Sequence, residues 1–361
     1  MNIKIKRHRK IDFFNSFSLL LNYDSVASAF SFNFYFDPNN EEHKVLFQPT
    51  HYHKVDVEHN GELLLRGWIL NQSFGSKSTK ELSSLSGYSL PGVLEDCEIP
   101  TTLYPLQSDG RSLLQIAQRF CSLFPFNVSV DPIVSKKVNG IYDTSTASET
   151  QTIKGYLTEL ATQKKVILTH TNEGNLLFTE AKTSQAPFYH FERGMPNVDI
   201  KLSIDGQSMH SHITIQKQAG VDGGNAGEFT IRNPYVPYVY RPKVISQTSG
   251  DDIDSSEAAR MALSAELKGI VLTITTNVWE IDNKIIKPNS IVTVTDPENY
   301  LFKKTRWFVK SIQFNGDESS TTAVLTCVLP EVYSNEPVVN IFEGMTDWRK
   351  FHRENHIGFN L

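Results

Sequence analysis

Between Phe30 and Phe36 every second residue is a phenylalanine, with Ser31, Asn33 and Tyr35 between them. A repeat of two puts all four rings on one face of an extended chain, the requirement of a half-buried β-strand and not of a helix. The alternation returns much later, at Val198, Ile200, Leu202 and Ile204, and again at Ile213 and Ile215. Asn60-Gly61, just ahead of Glu62 to Ile69, is the dipeptide of a tight hairpin. Further strands are predicted over 271–279, 290–295, 305–314 and 321–329, with Asn315-Gly316-Asp317 as the turn between the last two.

Elsewhere the period changes to that of a helix. Asp109 is the predicted cap of a helix over 111–124, with Leu113, Leu114, Ala117, Phe120 and Leu123 inward and Pro125 as its stop. Ser148 is the predicted cap of a second helix over 149–164, with Ile153, Leu157, Leu160 and Ala161 inward. Strands at 127–130, 166–170 and 176–178, with a turn at Glu173-Gly174-Asn175, complete a compact α+β segment. An alanine-rich third helix is predicted over 255–268, starting at Ser255-Ser256-Glu257. The proline–tyrosine stretch 233–242 has an extended character. The fold class read from these elements is β-rich α+β.

Composition narrows the function. Hydrophobic residues at 39% and aromatics at 11% supply enough apolar surface for several packed units in 361 residues. A net charge of -5 argues against a protein built to grip nucleic acid. Cys97, Cys121 and Cys327 are too widely spaced for a zinc pair or a disulfide framework and read as buried free thiols. Lys4, Lys6, Arg7, Arg9 and Lys10 precede an apolar stretch over 13–21, but Asp12, Asn15 and Asn22 interrupt and bound it, so it reads as strand rather than export signal. No apolar run reaches the ~18 residues of a membrane span, so no membrane insertion is expected.

Candidate chemistry is sparse. His51 and His53, like His210 and His212, sit two apart and share a strand face, yet neither pair has the third and fourth ligands of a metal site. In His352-Arg353-Glu354-Asn355-His356 the glutamate adjoins neither histidine, unlike the zinc-protease helix. The glycines at 220, 223, 224 and 227 match neither a phosphate loop nor a dinucleotide fingerprint and read as a hairpin tip. Asp251, Asp252 and Asp254 read as a solvated cap. Tyr235, Tyr238 and Tyr240 offer a stacking face with only Arg232, Arg241 and Lys243 as nearby cations. Neither catalytic residues, nor a cofactor, nor a metal is predicted.

The order of segments resembles the Mu-like phage baseplate hub family, related to the hubs of other contractile tails. Gly87-Tyr88-Ser89 through Val93-Leu94-Glu95-Asp96-Cys97 is similar to the family's Gly-Arg-Ser … Asp-Leu-Val-Asp-Cys segment, with Tyr88 in place of arginine. Leu113 to Ala117 with Phe126-Asn127-Val128, and Thr150 to Leu160 with Gly174-Asn175-Leu176, resemble its two helices and the strands after them. Arg241-Pro242, Ala258-Ala259-Arg260-Met261-Ala262, Trp279, Pro288-Asn289-Ser290-Ile291-Val292 and Trp307-Phe308-Val309 come in the family's order, up to Leu329-Pro330-Glu331-Val332-Tyr333. The family's glycine beside the tryptophan is absent, Glu280 standing after Trp279.

The resemblance implies two tube-like β-barrel domains with an α+β domain between them and a helix-containing insertion in the second. The implied boundaries are 1–100 for the first barrel and 101–186 for the α+β domain. The second barrel takes 187–218 and 285–333, and the insertion 219–284. It further implies a non-enzymatic homotrimer whose pseudo-hexameric ring joins a tail tube or tube-initiator protein to a central spike protein, touches other baseplate proteins, and lets DNA through its lumen unbound. Such a protein belongs to the virion and is made in the host cytoplasm. A cell-wall hydrolase and a carbohydrate-binding β module are the competing readings. Residues 334–361 read as an arm, in which Phe342, Met345, Trp348 and Phe351 recur every three positions as one helical face for a partner interface, with packing on the arm's own subunit as the alternative.

Overall fold

The computed structural model of the chain describes residues 2–5, 10–11, 14–76, 82–217, 228–247, 254–334 and 336–344. They form two units, one of Met1–Ala181, Asn277–Pro288 and Lys310–Val324, the other of Lys182–Thr276, Asn289–Val309 and Leu325–Leu361. The β-rich α+β class expected from the sequence is the class observed.

The first unit opens with β1 (Asn2–Ile5), β2 (Lys10–Ile11), β3 (Ser16–Asn22), β4 (Ala29–Phe34), α1 (Glu41–Leu46), β5 (Lys54–His59), β6 (Glu62–Ser73) and β7 (Ser83–Ser89). These strands are antiparallel in the order β3-β4-β7-β6-β5-β1-β2. Phe30, Phe32 and Phe34 are buried together with Phe17, Leu19 and Leu21 of β3, as a period of two dictates. Phe36 lies past the strand end and turns to Phe47 and Phe74. The hairpin at Asn60-Gly61 is present, with φ of 50° and 84° at its two residues. Where β6 and β7 meet, a Cβ on Gly87 would lie 1.7 Å from the Trp68 carbonyl oxygen, so only glycine fits.

The same unit continues through α2 (Val93–Asp96), β8 (Arg111–Ser112), α3 (Leu113–Cys121), β9 (Val128–Val130), α4 (Ser135–Val138), β10 (Ile141–Tyr142), α5 (Ile153–Gln163), β11 (Ile167–His170) and β12 (Leu176–Thr179). Helices α3 and α5 bury Phe120, Tyr156 and Leu157 with Phe178 of β12 in one core. Both helices start later than predicted. Ser112, in a reciprocal capping box with Gln115, caps α3, while Asp109 accepts a hydrogen bond from the Ser145 N–H instead. Thr152, not Ser148, caps α5 through the Gly155 N–H. Because α3 ends at Cys121, Leu123 leaves the core and is 59% exposed.

His170 fastens β11 to an earlier loop. Its Nδ1 donates to the Thr171 carbonyl at 3.0 Å, so Nε2 is the acceptor for the Ser28 hydroxyl at 2.7 Å. Desolvation holds this imidazole below its ordinary pKa of 6.5, with the backbone bond opposing.

The second unit contains β13 (Tyr189–Glu192), β14 (Val198–Ile204), β15 (His212–Lys217), β16 (Glu228–Arg232), β17 (Pro242–Gln247), α6 (Ser255–Glu266) and β18 (Ile270–Thr276). After the short hairpin of β19 (Glu280–Ile281) and β20 (Lys284–Ile285), which belongs to the first unit, come β21 (Ser290–Asp296), β22 (Leu301–Asp317) and β23 (Thr321–Val328). Strand β15 runs antiparallel to β16 and parallel to β17, and α6 packs on β15 and β16. Strand β14 pairs with β18, and β21 pairs with β13 and with the first part of β22. The α6 cap position is Asp254, one residue before the predicted start.

Strand β22 is longer than predicted. In the first unit Ser311 to Asp317 pair with β3, so the turn expected at Asn315-Gly316-Asp317 is strand. Gly316 is needed there because a Cβ would lie 2.3 Å from the Phe17 ring. The reversal comes after Asp317, whose carboxylate accepts from the Ser319 hydroxyl and from the Ser319 and Ser320 N–H groups, which lowers its pKa to about 2. Cys121 and Cys327 are buried as predicted, and burial pushes the Cys121 thiol up to about 12; Cys97 is only half-buried.

Two outcomes are expected. Gly87→Ala should lower unfolding stability by ~3 kcal/mol in urea titration, since backbone and not a movable side chain opposes the new methyl. His170 is depressed in the folded state, so its contribution is complete above 6.5 and is lost as pH falls below that value. Melting temperature should therefore decline from pH 7 toward pH 5, and His170→Gln should flatten that decline.

Candidate interaction surface

The loop joining β16 to β17 carries the proline–tyrosine stretch, and it is held stiffly. Asn233 accepts from the Tyr235 N–H at 2.9 Å, and Arg232 donates to the Pro237 carbonyl at 3.3 Å. Arg241 donates to the Gly206, Gln207 and Met209 carbonyls and thereby ties the loop's far end to the turn before β15.

The three tyrosines divide into two roles. Tyr235 is a clasp for residues 336–344: its hydroxyl donates to the Val339 carbonyl at 3.0 Å and accepts from the Ile341 N–H at 3.2 Å. Asn340 adds a bond to the Pro234 carbonyl at 3.1 Å, and the Phe342 ring meets Tyr235 edge-on at 6.2 Å. Burial raises the Tyr235 phenol well above its ordinary value, so it stays a neutral donor. Tyr238 and Tyr240, by contrast, are 91% and 77% exposed, with Tyr240 leaning on His212 at 5.5 Å. Rigid aromatic side chains presented to solvent are the material of interface hot spots.

Beneath this loop lies a buried carboxylate. Glu266, at the end of α6, accepts from the His210 N–H at 2.7 Å, from His210 Nδ1 at 2.8 Å and from Lys243 at 3.1 Å. His210 thus serves α6 and not a metal, and His212 serves Tyr240. Nothing in the sequence singles out Glu266, which sits in an alanine-rich helix like any solvated acid.

Of the predicted interface residues, Phe342 is placed against Tyr235 of its own chain. Met345, Trp348 and Phe351 lie outside the described residues, as do Gly220 to Gly227, Asp251, Asp252 and the His352–His356 stretch. In the first unit, His51 is solvent-exposed and its ring lies 5.8 Å from that of His53. A cleft of about 420 Å³ there is lined by Lys54, Arg66, Phe124, Phe126 and a single carboxylate, Glu173. Arg66 is committed to Asp56 through two bonds of 2.6 and 2.8 Å, and with Glu173 as the one carboxylate of its lining the cleft does not offer the paired carboxylates of glycoside hydrolysis. Among the described residues no group of three metal-ligating side chains occurs, and no helix is long and apolar enough to cross a membrane.

The fold has known counterparts. No family model and no curated protein matches the sequence. The 43 kDa tail protein of prophage MuSo2 from Shewanella oneidensis is similar with a TM-score of 0.77 at 21% identity, over 92% of this chain and 99% of that one. The tail protein of Neisseria meningitidis MC58 gives 0.75 at 18% identity, over 92% and 97% of the two chains. A type VI secretion component of E. coli, described as similar to the T4 bacteriophage tail proteins gp27 and gp5, gives 0.53 at 9% identity, over 94% and 80%. The chain has the fold of these tail proteins.

Replacing Tyr235 by Phe removes a donor and an acceptor from the clasp while keeping the ring. Amide exchange over 336–344 should then accelerate by ~30-fold, each of the two lost bonds being worth about 1 kcal/mol. Glu266→Ala strands His210 and Lys243 without their partner and should cost ~3 kcal/mol in global stability.

Proposed function

We propose that this chain is the central hub of a Mu-like tail baseplate, a structural protein of the virion that catalyses nothing. The observation that carries the reading is the end-to-end correspondence with the MuSo2 tail protein, which leaves almost none of either chain unmatched. A shared domain alone would have left long unmatched segments. The likeness to a secretion component described beside T4 gp27 and gp5 supports the same role.

In this reading each copy supplies two tube-like β-barrels, bounded at 1–100 and at 187–218 with 285–333. Around them sit the α+β domain at 101–186 and the insertion at 219–284. Three copies then make a pseudo-hexameric ring that matches a six-fold tube, or a tube-initiator protein, on one side and a three-fold spike on the other. Other baseplate proteins bind its outside. DNA passes through the lumen, whose wall must not retain phosphates; the net charge of -5 is consistent with a neutral to acidic lining. In the arm, 334–361, Phe342 stays on the Tyr235 clasp of its own chain, and Met345, Trp348 and Phe351 dock on a neighbouring subunit or the spike.

Truncation after Gly344 tests the arm, because it removes Met345, Trp348 and Phe351 but keeps the clasp. Affinity for the spike or for neighbouring subunits should fall by ~30-fold or more while the melting temperature of the single chain is unchanged. Unchanged affinity would mean the arm serves only its own subunit. The parent reading is tested by mass in solution, with a trimer expected. Hydrolysis of peptidoglycan that a point substitution abolishes would overturn it.

A further inference from the structure

Each unit carries exposed apolar side chains with charged neighbours, mostly acidic in the first unit and mostly basic in the second. In the first unit Asn40 caps α1 by accepting from the Glu42 and His43 N–H groups, and Asp37 N–H donates to His43 Nδ1 at 3.1 Å. That folds the strap before the helix back onto it. Phe36 then packs against His43, Phe47 and Phe74. What stays outside is Val45, 52% exposed, and Phe74, 39% exposed. Beside Val45, in the strap and on the helix, are three carboxylates, Asp37, Glu41 and Glu42, against one cation, Lys44, which already pairs with Glu41 at 2.6 Å. Glu41 and Glu42 lie four and three residues before Val45, so all three share one side of the helix.

In the second unit the turn into β22 places Tyr300 in the left-handed region at φ 57°, and its ring meets Phe302 at 5.9 Å. Tyr300 is 63% and Phe302 44% exposed. Lys303, Lys304 and Arg306 come next, all exposed, with Lys304 and Arg306 on the Phe302 face of the strand. Arg306 is fixed by donating to the Thr183 and Gln185 carbonyls, which hold its charge in place without neutralising it.

We infer that the acidic surface around Val45 of one copy seats on the basic surface around Tyr300 and Phe302 of a second copy. Two copies of either surface repel each other, whereas one of each is matched in both charge and apolar centre. The surfaces differ, so the contact is heterologous, and a heterologous contact whose rotation is a third of a turn closes a three-membered ring with no open ends. This rests on the hub reading and names the side chains that would join its subunits.

Charge reversal tests it. Glu41→Lys with Glu42→Lys forms one variant, Lys303→Glu with Lys304→Glu a second, and all four substitutions a third. Each two-site variant should raise the concentration for half-assembly by ~10-fold or more, read by sedimentation or light scattering, because like charges then meet. The four-site variant, in which opposite charges meet again, should recover most of the wild-type assembly. Recovery also shows that the reversals did not act by unfolding the chain. If the wild type assembles and both two-site variants assemble equally well, the subunits meet elsewhere and the inference is overturned while the ring stands. A four-site variant as weak as the two-site ones, with folding intact, overturns it as well. A wild-type chain that stays monomeric at every concentration removes the ring itself.

Discussion

Strand β22 has to satisfy two cores at once. In the second unit it supplies Trp307, Phe308 and Val309, three consecutive residues buried on both faces, and in the first it supplies Ile312 and Phe314 on one face only. Trp307 is set by a short relay: its Nε1 donates to the Thr305 hydroxyl at 2.9 Å, which donates to the Val294 carbonyl at 3.1 Å. A residue inserted or deleted anywhere along the strand would reverse every side chain beyond it. Both units therefore depend on one register.

Much of this frame is legible in the sequence. The phenylalanine alternation of β4 and the Asn60-Gly61 hairpin come from local rules that burial reinforces. The errors come where several residues of the right type compete. Asp109, Ser112, Ser148 and Thr152 can all cap a helix, and tertiary hydrogen bonds choose among them: Asp109 is drawn to Ser145, and Ser148 offers its N–H to Gln151. Asn315-Gly316 reads as a turn because glycine is common in turns. Here it answers a different need, the space occupied by Phe17, a residue almost three hundred positions away. No local window contains that information.

The candidate surface shows the same limit. Phe342 stands out as one of the arm's recurring aromatics, but its partner Tyr235 lies more than a hundred residues earlier, in a stretch that reads equally well as a stacking face. Glu266 is invisible to sequence because its significance is entirely a matter of burial beside His210 and Lys243. Exposed residues fare no better: what separates Tyr238 from Tyr235 is a handful of hydrogen bonds and not residue type.

The Tyr235 clasp also makes one phenol the joint between two distant parts of the chain. Because the same hydroxyl holds both Val339 and Ile341, whatever disturbs the loop between β16 and β17 loosens residues 336–344 as well, a hundred positions further along the sequence.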